Sequence, residues 1–190
     1  MTEHPAPQDT QWPQGTIFTV GHSTLAIERF IRLLQTSGIR RLVDIRTFPR
    51  SRHNPQFNDT VLASSLGAAN LEYVPCQALG GLRHPSRNSR NTGWRNKSFR
   101  GYADYMQTDE FTTALKALVR MSRRGCTAIM CAEAVPWRCH RSLVADALNI
   151  RGIPVVEILS EQDYRMHQLT SFACVEGLQI TYPPEQATLL

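Results

Sequence analysis

Between Met130 and Leu143 the chain reads MCAEAVPWRCHRSL, which places two cysteines, a glutamate, a histidine and two arginines within eleven residues. These residue types could serve three chemistries. Cys131 ends an apolar run just ahead of a helical pattern, where helix amides and arginines would stabilise a nucleophilic thiolate. The spacing departs from the known thiolate loops. A cysteine phosphatase needs arginine where Trp137 stands, and a rhodanese needs it where Pro136 stands. The other reading of Cys131 is a small buried thiol that closes a strand. A metal site would use Cys131, Cys139 and His140. Zinc deaminases separate the two halves of their signature and end it in Pro-Cys-x-x-Cys; here the halves overlap and the last cysteine is missing. On a helix, adjacent Cys139 and His140 would point about 100° apart. The expectation is therefore no metal, with His140 a polar contact near a strand end. Glu133, beside Arg138 and Arg141, is either a general base or half of an ion pair.

A second stretch, VDIRTFPRSRHNPQF, runs from Val43 to Phe57. Asp44 and Arg46 lie two apart on a predicted strand and so share one face. Arg46, Arg50 and Arg52 form an anion site, because guanidinium forks match phosphate or carboxylate oxygens; the alternative is a solvated loop with an Asp44–Arg46 pair. A third stretch, GGLRHPSRNSRNTGWRNKSFRGY from Gly80 to Tyr102, interleaves Arg83 and its neighbours with Trp94, Phe99 and Tyr102. Arginines among aromatics fit single-stranded nucleic acid, a lid over a phosphorylated molecule, or a solvated loop. The fourth, TVGHST, sets Gly21, His22 and Ser23 between a strand and a helix whose first amides could meet an anion. There is no GxGxxG and no Walker sequence, so no cofactor is named.

These four stretches need elements to bring them together. Short apolar runs at Thr16, at Arg41–Arg46, at 71–75, at 126–131 and at 153–159 read as strands. Helical periodicity lies between them. Ile27, Phe30, Ile31 and Leu34 make one face, and Leu143, Val144, Ala147 and Leu148 make another, with Gly38 and Gly152 as stops and Pro136 at a helix start. A weak helix pattern runs from Asn58 to Ala69. A broad helical stretch begins at Tyr102, with Thr108 or Asp109 able to cap a second segment. The last thirty residues read as a short helix and an extended piece, GLQITYPP. Alternating strands and helices predict an α/β fold, a mostly parallel sheet with helices on both faces, Rossmann-like and doubly wound. In such folds ligands collect at the carboxyl ends of the strands, where all four stretches would meet.

The chain has 190 residues and a net charge of +5. That length suits one domain over 16–190 behind a loose tail over 1–15. No acidic residue lies between Glu72 and Asp104, where six arginines and lysines stand. Setting those six aside leaves the rest of the chain at −1, so the basic character is local and points to an anionic partner. Five cysteines without a framework fit a reducing cytoplasm. No run approaches the roughly 18 apolar residues of a membrane span.

Taken together, TVGHST, LVDIRTFPRSR, LGGLR, YADYM and MCAEAVPWRCHRSLVADAL, in this order, resemble the domain of unknown function 488 family, over about Thr16 to Leu159. The resemblance implies a compact bacterial-type α/β protein with no assigned activity. It also implies a recurring residue set: Gly21, His22, Ser23, Asp44, Arg46, Pro49, Arg52, Cys131, Glu133, Cys139, His140 and Arg141.

The leading functional expectation is an enzyme acting on an anionic, phosphate-containing substrate, a nucleotide or nucleic acid. Asp44, Glu133 and His22 would be its acid/base groups and Cys131 a wall or nucleophile. Arg46, Arg50, Arg52, Arg138 and Arg141, with Ser23, Arg83 and Trp94, would hold the anion. The competing readings are a non-catalytic nucleic-acid-binding module built on residues 83–100, and a cysteine-based redox or metal protein. Carboxylates and arginines rank above cysteines as the carriers of chemistry.

Overall fold

The structure, a computed structural model, describes residues 12–184. The expected tail therefore falls largely outside the described residues; within them, Trp12 packs edge-on against Phe18.

The predicted alternation folds as an α/β layer structure. Strands β1 (Ile17–Gly21), β2 (Arg41–Asp44), β3 (Glu72–Pro75), β4 (Thr127–Cys131), β5 (Val155–Ile158) and β6 (Tyr164–Met166) form one sheet in the order β3-β2-β4-β1-β5-β6. All neighbours are parallel except β5 and β6. Strand β4 enters between β1 and β2, so the fourth strand in the chain occupies the centre of the parallel core, with β5 added outside β1. Its burial pattern fits that place, with all five residues of TAIMC buried.

Alternation along the strands divides the core in two. Ile17, Val43, Ile129 and Val155 point to one face, where α3 (Lys97–Tyr105), α4 (Asp109–Ser122) and α5 (Arg141–Asn149) pack. Phe18, Val20, Leu42, Ala128, Met130 and Val156 point to the other, under α1 (Ile27–Thr36) and α2 (Asp59–Ala68). Each fully buried aliphatic or aromatic side chain contributes about 1.5–3 kcal/mol of transfer free energy. Two of the helices begin where a side chain accepts from an otherwise unpartnered amide. Thr108 accepts from the Phe111 amide at the start of α4, and Asn96 from the Ser98 amide at the start of α3. Helix α1 stops at Gly38, whose φ of 69° is open to glycine.

Two local expectations are corrected. Pro136 does not begin a helix that runs through the cysteine motif. It begins one turn of 3-10 helix, Pro136–Arg138, followed by Cys139 in an extended conformation, and α5 starts only at Arg141. Arg141 explains the break, because its guanidinium donates to the carbonyls of Glu133 and Ala134 and folds the loop back on itself. The last segment contains no helix among its described residues. It supplies β6 and a two-stranded hairpin, β7 (Cys174–Glu176) with β8 (Gln179–Thr181).

No helix is long and apolar enough to cross a membrane among the described residues. No disulfide joins the cysteines.

Candidate active site at the carboxyl edge of the sheet

The parallel register aligns Gly21 with Cys131 and Asp44 with Met130. The chain segments leaving β1, β2 and β4 therefore start side by side. Two adjoining cavities of about 400 and 510 Å³ open there, and both are lined by Arg46, Phe48, Ala132, Glu133 and Arg138. The first also takes Gly81, Leu82 and Phe99 from the basic segment, and Cys131, Cys139 and His140. The second takes His22, Ser23 and Arg50. Parts of all four polar stretches thus share one cleft.

Its floor is a cluster of three donors. The sulfurs of Cys131 and Cys139 and Nδ1 of His140 lie within 4.8 Å of one another. Nδ1 is 3.8 Å from Cys131 Sγ and 3.6 Å from Cys139 Sγ. The anticipated divergence of Cys139 and His140 assumed a helix; extended backbone at Cys139 turns both inward instead. On the far side of the ring, Nε2 is 3.1 Å from the Ile45 carbonyl, which can only accept. That places a proton on Nε2 and leaves Nδ1 as the nitrogen that faces the sulfurs. Cys131 is 8% exposed and Cys139 3%. The Cys131 thiol is held well below its usual range, chiefly by the S–H that Cys139 donates and then by His140. Burial, followed by the adjacent Cys131, pushes the Cys139 thiol up. The pair thus holds one proton readily and the second loosely. The Arg141 amide, first in α5, lies 3.5 Å from Cys139 Sγ. These three residues form the one group of His, Cys, Asp and Glu donors close enough to hold a metal ion among the described residues.

Behind the floor lies a buried polar chain. Asp44 accepts from Arg46 Nε at 2.9 Å, Arg46 Nη2 at 2.6 Å, the Arg46 amide and the Tyr73 hydroxyl. Both carboxylate oxygens are occupied, so Asp44 positions Arg46 and has no free lone pair directed at the cleft. Arg46 also donates to the Phe57 carbonyl and lies 3.3 Å from His22 Nε2. His22 is buried, stacked on Phe57, with Nδ1 2.8 Å from the Ser23 carbonyl. Desolvation keeps this imidazole neutral by lowering its pKa, so Nδ1 donates to Ser23 and Nε2 accepts from Arg46.

The other expected site residues divide. Glu133, Arg138 and Arg50 are exposed on the cleft. Arg52 is exposed and outside the lining. Arg141 is buried and bonded to backbone carbonyls, which makes it the strut of the loop. Arg83 donates to the Gly80 carbonyl and lies over the Tyr105 ring. Trp94 is half-buried and packs against Phe99, Phe172 and Tyr182, away from the cleft lining. The stretch around it is anchored too, because Asp104 accepts from Ser86, Ser89 and Asn91.

Sequence reasoning missed three contributors. Phe48 and Leu82 stand 72% and 64% exposed on the cleft, an apolar rim beside the arginines. Gly81 lies so close to His140 that a Cβ there would meet the imidazole ring. The Gly-Gly pair in LGGLR was the available signal for the last. A similar approach explains Gly21, where a Cβ would strike the Glu133 carbonyl and the Arg141 guanidinium.

The family model described as "Domain of unknown function DUF488" matches residues 26–148, which include β2, β4 and the cysteine motif and stop short of β5. No curated protein and no solved structure matches.

Proposed function

The chain belongs to the family of domain of unknown function DUF488, and from that premise we propose that its cleft is the active site of an enzyme acting on a small anionic substrate with a flat apolar part, a nucleotide being the best fit. The observation that carries the reading is the lining itself. Arg138 and Arg50 supply exposed cations, Phe48 and Leu82 supply uncommitted apolar surface, and the Cys131–Cys139–His140 cluster lies beneath them. Guanidinium groups hold phosphate oxygens in pairs of charge-assisted hydrogen bonds. An exposed phenylalanine offers a face on which a base can stack. Exposed apolar side chains of this size beside cations mark a binding surface more readily than a solvated one.

This changes which residues carry the chemistry. Asp44 and His22 serve as positioning groups, since their polar atoms are committed to Arg46, Tyr73 and Ser23. The reacting end of the substrate meets the sulfur–imidazole cluster, with Glu133 as the available carboxylate on the cleft. The alternative, a nucleic-acid-binding module on residues 83–100, rests on exposed Arg87, Arg90 and Arg95, which lie outside the cleft lining.

The test is binding on metal-free protein, with phosphate, pyrophosphate and AMP as probes. Saturable binding is expected, tighter for AMP than for phosphate. Arg138→Gln should weaken it about tenfold, the loss of one charge-assisted contact. A nucleotide-ester screen should then find turnover that Cys131→Ala abolishes. Absence of binding, or binding indifferent to Arg138 and Phe48, would sink the reading.

A further inference from the structure

We propose that Cys131, Cys139 and His140 form a metal centre for a thiophilic divalent cation of the zinc type, with its fourth coordination position open to the cleft. The inference deepens the reading of the cleft as an active site and rests on it for its functional meaning.

The distances carry the argument. Zinc bonds of about 2.3 Å to sulfur and 2.0–2.1 Å to imidazole nitrogen, set at tetrahedral angles, place S and N about 3.6 Å apart and two sulfurs about 3.8 Å apart. Nδ1 of His140 stands 3.6 and 3.8 Å from the two sulfurs, and all three donor atoms fall within 4.8 Å. These separations are long for hydrogen bonds among three small donors and near what a shared ion requires. The imidazole is also prepared for the role. Metal-bound histidines usually donate the other ring N–H to a carbonyl or carboxylate, which fixes the tautomer. Nε2 does this toward Ile45, and the backbone at Gly81 backs the ring.

The donor set selects the metal. Two sulfurs and an imidazole suit zinc and disfavour magnesium and calcium, which take oxygen ligands. Three protein ligands and an open place is the arrangement of catalytic zinc, whereas structural zinc has four. All three ligands line the cleft, so the open place faces Arg46, Arg138 and Phe48. Charge balances as well. One dication and two thiolates sum to zero, with the thiol protons released to solvent on binding. An anionic group can then enter the fourth position without meeting net negative charge, drawn in by Arg138. The metal would act there as a Lewis acid on the bound oxygen.

The experiment uses the full chain, reduced, made metal-free and titrated with Co²⁺ and then Zn²⁺. One cobalt per chain is expected, with a thiolate-to-cobalt charge-transfer band and the intense visible bands of tetrahedral cobalt, both removed by zinc. Cys139→Ser and His140→Gln should each weaken cobalt binding at least tenfold. Cys174→Ser, an exposed thiol on β7, should leave it unchanged. The wild-type spectrum tests the proposal even if a variant fails to fold. No charge-transfer band, or equal affinity in Cys139→Ser and wild type, overturns it. Anion binding is measured separately on metal-free chain. A chain that binds AMP but gives no cobalt band loses the metal centre and keeps the active-site reading. A cobalt band in a chain that binds no anion upholds the centre and removes that reading.

Discussion

Two histidines in this molecule sit among other polar groups, and they are served very differently. His167 has Nδ1 2.8 Å from Glu157 and Nε2 2.8 Å from Asp146. Asp146 also accepts from the Thr170 amide, the Thr170 hydroxyl and the Tyr182 hydroxyl, and Arg165 closes on Glu157. Burial works against charge on His167, but the two carboxylates outweigh it and push its pKa up to about 9. His140 has one nitrogen on a carbonyl and the other at long range from two sulfurs, facing a cleft. A staple and a site differ in how fully their polar groups are matched. A network whose lone pairs and protons are all matched holds chain segments together, here the segment after β5 against α5. A donor set that converges without mutual saturation, at a wall open to solvent, is held ready for something else.

Removing each histidine and measuring stability separates a staple from a site. His167→Ala leaves two buried carboxylates without their shared cation, and losing one partner of a buried pair costs about 3–5 kcal/mol. Chemical denaturation should register that loss, and a change below about 1 kcal/mol would end the reading of His167 as a staple. The next effect is a pH dependence. A histidine whose folded pKa is raised contributes fully below its unfolded value of 6.5 and loses the contribution as pH rises through about 9. The melting temperature of the wild type should therefore fall across that window, and the gap to His167→Ala should narrow. Parallel curves for the two proteins would contradict it.

How far the sequence announced these two regions is itself uneven. The strands and helices were legible because their apolar residues repeat at the local periods. The helix face of Ile27, Phe30, Ile31 and Leu34 needs no distant partner to be read, and Phe30 and Leu34 are fully buried. The gathering of His22, Arg46, Arg138 and Cys131 at one edge followed from strand direction alone. The insertion of β4 between β1 and β2 was not legible, because strand order is set by pairs distant in sequence, such as Ile17 with Thr127 and Arg41 with Thr127. Cys139 was misplaced for a related reason. Its extended backbone depends on Arg141 reaching back to the Glu133 and Ala134 carbonyls, a tertiary hydrogen bond with no local signature. The His167 staple had no motif at all, since Asp146 of α5, Glu157 of β5 and Tyr182 just after β8 meet only in the fold.

A smaller effect separates the two regions by space rather than by charge. Gly81→Ala would drive a methyl into the His140 ring. Overpacking of this kind typically costs about 1–3 kcal/mol, and the ring can yield toward the cleft. Stability should fall at the low end of that range, while cobalt affinity falls at least tenfold as Nδ1 leaves the two sulfurs. Unchanged affinity would mean that Gly81 does not hold the ring in place.

The smallest expected change in stability is the most informative. His140→Gln keeps a side-chain amide that can donate to the Ile45 carbonyl, so the only certain losses are ring packing and the long contacts to sulfur. One hydrogen bond weakened in a half-buried place is worth about 1 kcal/mol. In denaturant the variant should thus sit close to wild type in metal-free buffer, far from His167→Ala. Adding zinc should separate them, because a ligand that binds only the folded chain stabilises it in proportion to the logarithm of its occupancy. Wild type should gain stability with zinc and His140→Gln should gain much less. If His140→Gln in metal-free buffer is instead as damaging as His167→Ala, the cysteine–histidine cluster is a second staple. The unsaturated contacts would then be ordinary packing, and the distinction between the two histidines would fail at the residue on which the proposed site depends.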